Sequence, residues 1–182
     1  MKSLLRLTTL LVVILTSAFG AAPDEAKFRA IAAEKLAPLT RDPALVEAVR
    51  AQNALNRSLA DIQAADKAWM ATPGINEIMR PLIDSPVAAT LRAARATLPA
   101  LSEAFVMDKL GANVAMTDKT SDFWQGDEAK FTECIKDGAA IWIGKVEFDE
   151  SSQSYSVQIS LPVVDGGIVI GAVCFGLDVE QL

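Results

Sequence analysis

The sequence predicts an α+β domain in which a long N-terminal helix and several short helices pack on a five-stranded antiparallel sheet. Two observations carry this prediction. Up to about residue 97, apolar residues recur every three or four positions, which is the period of amphipathic helices. After residue 101 the period shortens towards two, and runs rich in Val, Ile and Phe alternate with short turns, which is typical of antiparallel strands.

The first 20 residues have the layout of a secretory signal peptide. Lys2 and Arg6 flank the start of a mostly apolar run that ends in small residues at Gly20. An uncleaved anchor is the alternative, but the run is shorter than the roughly 20 residues that a membrane-spanning helix needs. We therefore expect cleavage after Gly20 and one mature domain over residues 21–182, located in the periplasm or secreted.

The mature domain is acidic. Without its first 20 residues the 182-residue chain keeps 162, and the loss of Lys2 and Arg6 lowers the formal net charge from −6 to −8. An acidic domain without a basic cluster argues against nucleic acid and anionic membrane surfaces as partners. No second long apolar run follows the leader, so we expect no membrane association after cleavage.

Cysteine and histidine usage narrows the chemistry. The chain contains two cysteines, Cys134 and Cys174, and no His. A compartment that permits disulfides leaves both a bridge and free thiols open, and we expect free thiols. The absence of His removes the Ser-His and Cys-His nucleophile systems and most transition-metal sites. We therefore expect no enzyme activity, no cofactor and no metal.

The N-terminal part is predicted to be helical throughout. A first helix begins at Pro23-Asp24 and ends before Pro38. Asp42-Pro43 is a stronger start signal, because Asp is a good N-cap and Pro suits the first helical position. From there an apolar stripe predicts one long helix to about Ala71, where Thr72-Pro73-Gly74 ends it.

Polar residues lie on or beside the stripe of the long helix: Gln52, Asn53, Asn56 and Asp66. A polar group carried into a core costs about 1–3 kcal/mol unless it finds a partner. Any one of these side chains is expected to meet water or a sheet edge. Together they suggest a helix that faces partly onto polar backbone.

Two shorter helices and then the strands complete the chain. A short helix is predicted over residues 75–79, and Asp84-Ser85-Pro86 starts another that runs to about Thr97. A hairpin follows, with strands at 104–107 and 113–116 around a turn at 108–111. Next comes a helix at 127–136, which Asp137-Gly138 ends. Three longer strands are predicted at 140–148, 155–164 and 168–177. The last strand is apolar on both faces, which predicts a central, covered position.

With this order of elements, several stretches resemble the extracytoplasmic sensor domains called Cache or PDC domains, which have a PAS-like sheet. The stretches are residues 49–53, 66–69, 105–108, 110–114, 120–130, 148–152, 158–163 and 170–179. The most specific is Thr120-Ser-Asp-Phe-Trp-Gln-Gly-Asp-Glu-Ala-Lys130. The resemblance implies recognition of a small molecule between the sheet and the segment after its second strand. Because the chain stops at Leu182, directly after the last strand, we expect a stand-alone form that reports binding through a membrane receptor.

The segment Thr117–Lys130 is the best candidate for the wall of a ligand pocket, because it combines aromatics, an amide and charges between two strands. A polar loop whose aromatics only plug the core is the alternative. The candidate ligand-binding residues in this segment are Asp122, Trp124, Gln125, Asp127 and Lys130. Trp142 and Gln158, on inward strand positions, are predicted to form the pocket floor.

The charge of the segment bears on its ligand. Between Thr117 and Lys130 the segment contains four carboxylates and only two lysines. This excess of negative charge favours a small polar or amine-bearing molecule as the ligand. A hard cation such as Ca²⁺ is an alternative, although the spacing is not that of an EF-hand loop. A structural or protein-interaction domain without a small ligand, and a hydrolase that uses paired carboxylates, are the other functions left open.

The predicted leader has a direct test. Intact-mass measurement on periplasmic material should give a chain that begins at Ala21, because cleavage is expected after Gly20. Material that retains Met1 would show an uncleaved anchor instead.

Overall fold

The computed structural model describes residues 25–136, 141–149 and 153–182. The predicted leader, the helix start at Pro23-Asp24 and the helix end at Asp137-Gly138 lie outside the described residues. Within them the α+β class is confirmed: helices occupy the N-terminal part and an antiparallel sheet the C-terminal part.

The helical part contains five α-helices and shorter turns. The helices are α1 (Glu25–Ile31), α2 (Pro43–Ala54), α3 (Leu59–Met70), α4 (Arg80–Ile83) and α5 (Pro86–Ala93). A π-helical turn at Ala32–Leu36 extends α1, and 3₁₀ turns lie at Leu39–Arg41 and Ala94–Ala96. A sixth helix, α6 (Ala129–Ile135), follows the second strand at the predicted place.

The single long helix predicted from Asp42 to Ala71 is two helices. Its start is confirmed, because the Asp42 carboxylate accepts the N–H groups of Ala44 and Leu45. The helix then breaks at Asn56, which has a left-handed φ of 47°, a conformation that Asn tolerates better than most residues. Ser58 caps α3 by accepting the Asp61 N–H. The apolar stripe continues across this break, so periodicity alone does not reveal it.

The helix predicted at residues 75–79 is also wrong. The Asn76 side chain accepts the backbone N–H groups of Ile78 and Met79, and this local turn competes with helical bonding. The helical turn is α4, one residue further on. The next helix, α5, starts as predicted, with Ser85 as its N-cap and Pro86 in its first position.

The strands form one antiparallel sheet. They are β1 (Leu101–Asp108), β2 (Asn113–Met116), β3 (Trp142–Ile143), β4 (Glu147–Asp149), β5 (Ser154–Asp165) and β6 (Ile168–Asp178). Their spatial order is β2-β1-β6-β5-β3, with β4 also paired to β5. The predicted hairpin turn is present, and Gly111 has the expected positive φ of 85°. The last strand, β6, is central as predicted.

The strand predicted at residues 140–148 is the two short strands β3 and β4, so the sheet has six strands. Ile143 pairs with Ile159, and Glu147 pairs with Ser156. Residues 144–146 lie between these two pairs on one side, and only residues 157 and 158 of β5 lie opposite them. One extra residue of this kind interrupts a ladder as a bulge does.

Each face of the sheet carries its own core. On β6, Val173 and Phe175 belong to the core shared with α2, whereas Ala172 and Cys174 belong to the core shared with α3 and α6. Helix α2 contributes Val49 to the first core. The break after α2 thus lets consecutive helices cover opposite faces of one sheet.

Both cysteines are free and buried in the second core. Burial raises the pKa of each thiol to about 12, although a backbone hydrogen bond at Trp142 opposes this for Cys134.

Because the thiolate is the reactive form, the folded protein should resist alkylation of both cysteines at pH 8. Denatured, unreduced protein should label at two sites, counted by mass; zero labelled sites would establish a bridge.

Candidate functional site

The segment after β2 is fixed to α3 by buried hydrogen bonds. The Asp66 carboxylate, on a residue only 9% exposed, accepts the backbone N–H groups of Phe123 at 2.8 Å and Trp124 at 3.0 Å. Trp69 lies one turn further along α3, and its indole Nε1 donates to the Thr120 carbonyl at 2.9 Å. Side chains of one helix thus set the path of the segment.

The same segment is attached to the β1–β2 hairpin through Trp124. Its indole Nε1 donates to the Leu110 carbonyl at 2.7 Å, and its backbone bridges Ala112. Gly111 and Gly126 lie against each other here: a Cβ on Gly111 would be 2.4 Å from the Gly126 Cα. Neither glycine tolerates a side chain at such a distance, so both are required for this close approach.

A small polar cavity, which we call the sheet-face cavity, lies between the sheet and this segment. Its volume is about 60 Å³. Strands β1 and β5 supply one wall, and the segment with the start of α6 supplies the other. The lining residues are Glu103, Phe105, Thr120, Ser121, Gln125, Lys130 and Gln158.

Two opposite charges line the sheet-face cavity. The Lys130 side chain is 11% exposed; its Nζ lies 3.0 Å from a Glu128 oxygen and 5.4 Å from the centroid of the Phe105 ring. Glu103 faces it from β1. Burial raises the pKa of Glu103, while a hydrogen bond from Gln158 and the charge of Lys130 oppose that rise. The carboxylate is therefore poorly solvated and gains from any cation that enters.

Gln125 brings an unpaired acceptor to the sheet-face cavity. The residue is 1% exposed, and its Nε2 donates to the Asp122 carbonyl at 2.9 Å. A carbonyl oxygen only accepts, so this bond fixes which end of the amide points inwards. The other end, Oε1, is buried and has no hydrogen-bond partner among the residues that the structure describes. A ligand N–H or O–H group would satisfy it.

A larger cavity of about 480 Å³, the strand-edge cavity, adjoins the first and shares Glu103 and Gln158 with it. Gln158 Nε2 donates to Glu103 Oε1 at 3.4 Å, which is near the upper limit for a hydrogen bond. Trp142 and Lys145 line the outer side. The two side chains that both cavities share, Glu103 and Gln158, are thus joined by one long hydrogen bond.

The predicted site residues divide into two groups. Gln125, Lys130 and Gln158 line the sheet-face cavity, and Trp142 lines the strand-edge cavity beside it. The other three face away from the sheet, into an open groove of about 470 Å³ against α3: Asp122, Trp124 and Asp127.

Two lining residues were missed from the sequence, Glu103 and Phe105. Both are on β1, at alternate positions that share one face of the strand. A carboxylate at an inward position next to an apolar run is the signal that identifies Glu103. Among the described residues, no group of three or more His, Cys, Asp or Glu side chains is placed to hold a metal ion.

Solved structures with a similar fold are sensor domains of bacterial receptors. The sensor domain of the V. cholerae histidine kinase DctB matches with a TM-score of 0.51 and 16% identity, over 86% of this chain and 51% of that one. The sensory domain of the Campylobacter jejuni chemoreceptor Tlp3 gives a TM-score of 0.44 and 16% identity, over 86% and 64% of the two chains. Another structure of the Tlp3 domain contains isoleucine.

The chain shares the fold of the DctB sensor domain, which agrees with the predicted resemblance to extracytoplasmic sensor domains. No family model matches the chain, and the comparison with curated proteins gives no match. In the described part of the chain, none of the helices has the length and apolar character needed to cross a membrane.

The Asp66 contacts predict a stability effect. Asp66→Ala should lower the free energy of unfolding by about 2–4 kcal/mol, because it removes two hydrogen bonds to a charged acceptor and strands their donors. Lys67→Ala, at an exposed neighbour on the same helix, is the control and should change it by less than about 0.5 kcal/mol. Urea unfolding measures both. Equal losses in the two variants would contradict a role for Asp66 in holding the segment.

Proposed function

We propose that this chain, which has the fold of a receptor sensor domain, binds a small amine-bearing molecule outside the cytoplasm. The sheet-face cavity is its site. One observation carries the proposal: Lys130 and Glu103, of opposite charge, line the same cavity as the unpaired Gln125 Oε1. Such a group of partly buried polar atoms costs stability unless a ligand completes it.

The charges of the cavity define the ligand as a small zwitterion. An ammonium group placed between Glu103 and Gln125 Oε1 restores the solvation that burial removes from the carboxylate and gives the amide oxygen its missing donor. A carboxylate on the same molecule faces Lys130. Since one cation and one anion line the cavity, a ligand with both charges gives Glu103 a cation and gives Lys130 a second anion beside Glu128.

The size of the cavity requires a movement when the ligand binds. A volume of about 60 Å³ corresponds to about two water molecules at roughly 30 Å³ each. Parting Glu103 from Gln158 joins this space to the strand-edge cavity, where Trp142 offers an aromatic face to the apolar part of the ligand. The long 3.4 Å contact between them is the weakest point of the wall.

Binding rather than catalysis is the activity that we assign. The sequence has no His, so the Ser121 hydroxyl that lines the cavity has only the Asp122 carboxylate as its hydrogen-bond acceptor among the described residues, at 2.6 Å, and no Ser-His system can form. A binding domain acts in signal transduction only through another protein, so we infer that a membrane receptor is its partner. The domain would then operate in the periplasm or as a secreted protein, as its predicted leader implies.

A ligand series of three matched compounds tests the proposal. Valine, isobutylamine and 3-methylbutyrate share one apolar group but carry both charges, the amine alone and the carboxylate alone. A ligand that binds only the native state raises the melting temperature, so valine should raise it more than isobutylamine or 3-methylbutyrate does, and Glu103→Gln should remove that difference. A screen over the common amino acids finds the best side chain; a rise with 3-methylbutyrate that equals or exceeds the rise with valine would overturn the proposal.

Glu103 separates binding from folding. Glu103→Gln should raise the melting temperature of the ligand-free protein at neutral pH and weaken amino-acid binding at least about tenfold, since a charged hydrogen-bond partner is lost. Glu147→Gln, an exposed change on the strand-edge cavity, is the control and should alter neither. Calorimetric titration and thermal melting provide the two readouts. Unchanged affinity in Glu103→Gln would remove this carboxylate from the site.

The raised pKa of Glu103 also sets a pH dependence. Because the native state holds this proton more tightly than the unfolded state, its contribution to stability is present below the unfolded pKa and is lost as pH rises through the folded pKa. Ligand affinity runs the other way, since an ammonium needs the ionised carboxylate. Affinity should therefore increase with pH through the raised pKa of Glu103, and Glu103→Gln should abolish that increase.

A further inference from the structure

A second cavity lies on the other side of the segment, against α3. Its volume is about 250 Å³, and it shares no lining residue with the sheet-face cavity. Most of its surface is apolar, with walls from Ala65, Trp69, Met79 and Phe123. We call it the helix-side cavity. An apolar space of about 150 Å³ suffices to bind benzene in another protein, so this cavity has room for a small ring or branched chain with a polar group attached.

Arg57 is the cation of the helix-side cavity. Its guanidinium carbon lies 5.3 Å from the centroid of the Phe123 ring. Within the described residues no carboxylate forms an ion pair with it, whereas Arg29, Arg50 and Arg95 each have one. A cation held over an aromatic face and left without an anion beside an apolar cavity favours a ligand that carries a carboxylate.

Asn113 gives the cavity a buried acceptor. The residue is 0% exposed, and its Nδ2 donates to Thr120 Oγ1 at 2.8 Å and to the Asp122 carbonyl at 3.1 Å. The Asp122 carbonyl only accepts, so this bond identifies the nitrogen end of the Asn113 amide. The other end of the amide is Oδ1. That oxygen is buried and has no hydrogen-bond partner among the described residues.

Three other polar side chains of the cavity make hydrogen bonds within the protein through at least one of their polar atoms. Gln52 Nε2 donates to Asp108 and to the Asn113 carbonyl. Thr72 donates to the Ala68 carbonyl, and the Asn76 side-chain oxygen accepts two backbone N–H groups. Among the described residues, the Arg57 guanidinium, which has no ion pair, and the buried Asn113 Oδ1, which has no hydrogen bond, are therefore the polar groups that gain most from a ligand.

We propose that the helix-side cavity is a second binding site, which takes a small apolar carboxylate with a hydroxyl group beside the carboxylate. The carboxylate pairs with Arg57, the hydroxyl donates to Asn113 Oδ1, and the branched or aromatic group fills the space between Ala65 and Phe123. This ligand has no ammonium group, which distinguishes it from the zwitterion proposed for the sheet-face cavity.

Three related probes test this site: mandelate, phenylacetate and benzyl alcohol. Calorimetry gives the affinities, and the indole N–H signal of Trp69 in nitrogen-labelled protein reports contact with the cavity. Mandelate should bind and shift that signal. Phenylacetate should bind more weakly, because it lacks the hydroxyl donor, and benzyl alcohol most weakly, because it lacks the charge.

Variants locate the binding. Arg57→Gln should weaken mandelate binding at least about tenfold, and Ala65→Leu should weaken it by filling the cavity without a change of charge. Arg41→Gln, at an exposed arginine away from the cavity, is the matched control and should leave the affinity unchanged. Melting curves show that each variant is folded.

Specific results would overturn the proposal. These are an absence of mandelate binding to the folded protein, an unshifted Trp69 signal, or equal effects of Arg57→Gln and Arg41→Gln. Equal affinities for mandelate and phenylacetate would overturn the role of Asn113 Oδ1.

Discussion

The Asp66 carboxylate, with the two backbone N–H groups that it accepts, is the contact on which the rest of the binding region depends. It joins α3 to Phe123 and Trp124, in the segment that walls the candidate cavities on both of its sides. A buried carboxylate is stable only when hydrogen bonds replace its water, so helix and segment hold each other in place. Without it, α3 would hold the segment through the Trp69–Thr120 hydrogen bond, and the hairpin would hold it through Trp124.

The helix break before α3 makes the Asp66 contact possible. Leu45 and Val49 of α2 pack in the core on one face of the sheet, whereas Ile62 and Trp69 of α3 pack in the core on the other. A straight helix cannot cover both faces. The left-handed turn at Asn56 therefore redirects the chain around the sheet, which is a tertiary requirement and leaves no trace in the apolar period of the sequence.

The polar residues on the helix stripe confirm the prediction that the helix faces polar backbone. Asn53 donates to the Ile170 carbonyl at 2.7 Å and accepts the Lys109 N–H at 3.0 Å. Gln52 reaches the β1–β2 hairpin in the same way. Such side chains cost more in a core than apolar ones unless they are paired. Gln52 and Asn53 are paired with the edge or turn of a strand, whereas the exposed Asn56 donates to the Ala54 carbonyl at the end of α2.

The sequence predicted the strands better than the site. The alternation of apolar residues predicts strand positions, and glycine predicts turns. The predicted positions of β2 and of the turn at Gly111 therefore agree with the structure. The site requires the two sides of one segment to be told apart: Gln125 faces the sheet while its near neighbours Trp124 and Asp127 face α3. Irregular backbone has no fixed period, and tertiary contacts, among them those with Asp66 and Leu110, decide this orientation.

The proposals for both cavities depend on two unpaired amide oxygens. Asn113 Oδ1 and Gln125 Oε1 both hold the segment through the other end of their amides, since both Nδ2 and Nε2 donate to the Asp122 carbonyl. Each unpaired oxygen costs about 1–3 kcal/mol, which the apolar cores on both sheet faces have to offset. Asn113 lines the helix-side cavity, and Gln125 lines the sheet-face cavity. The same carbonyl therefore orients both side-chain amides.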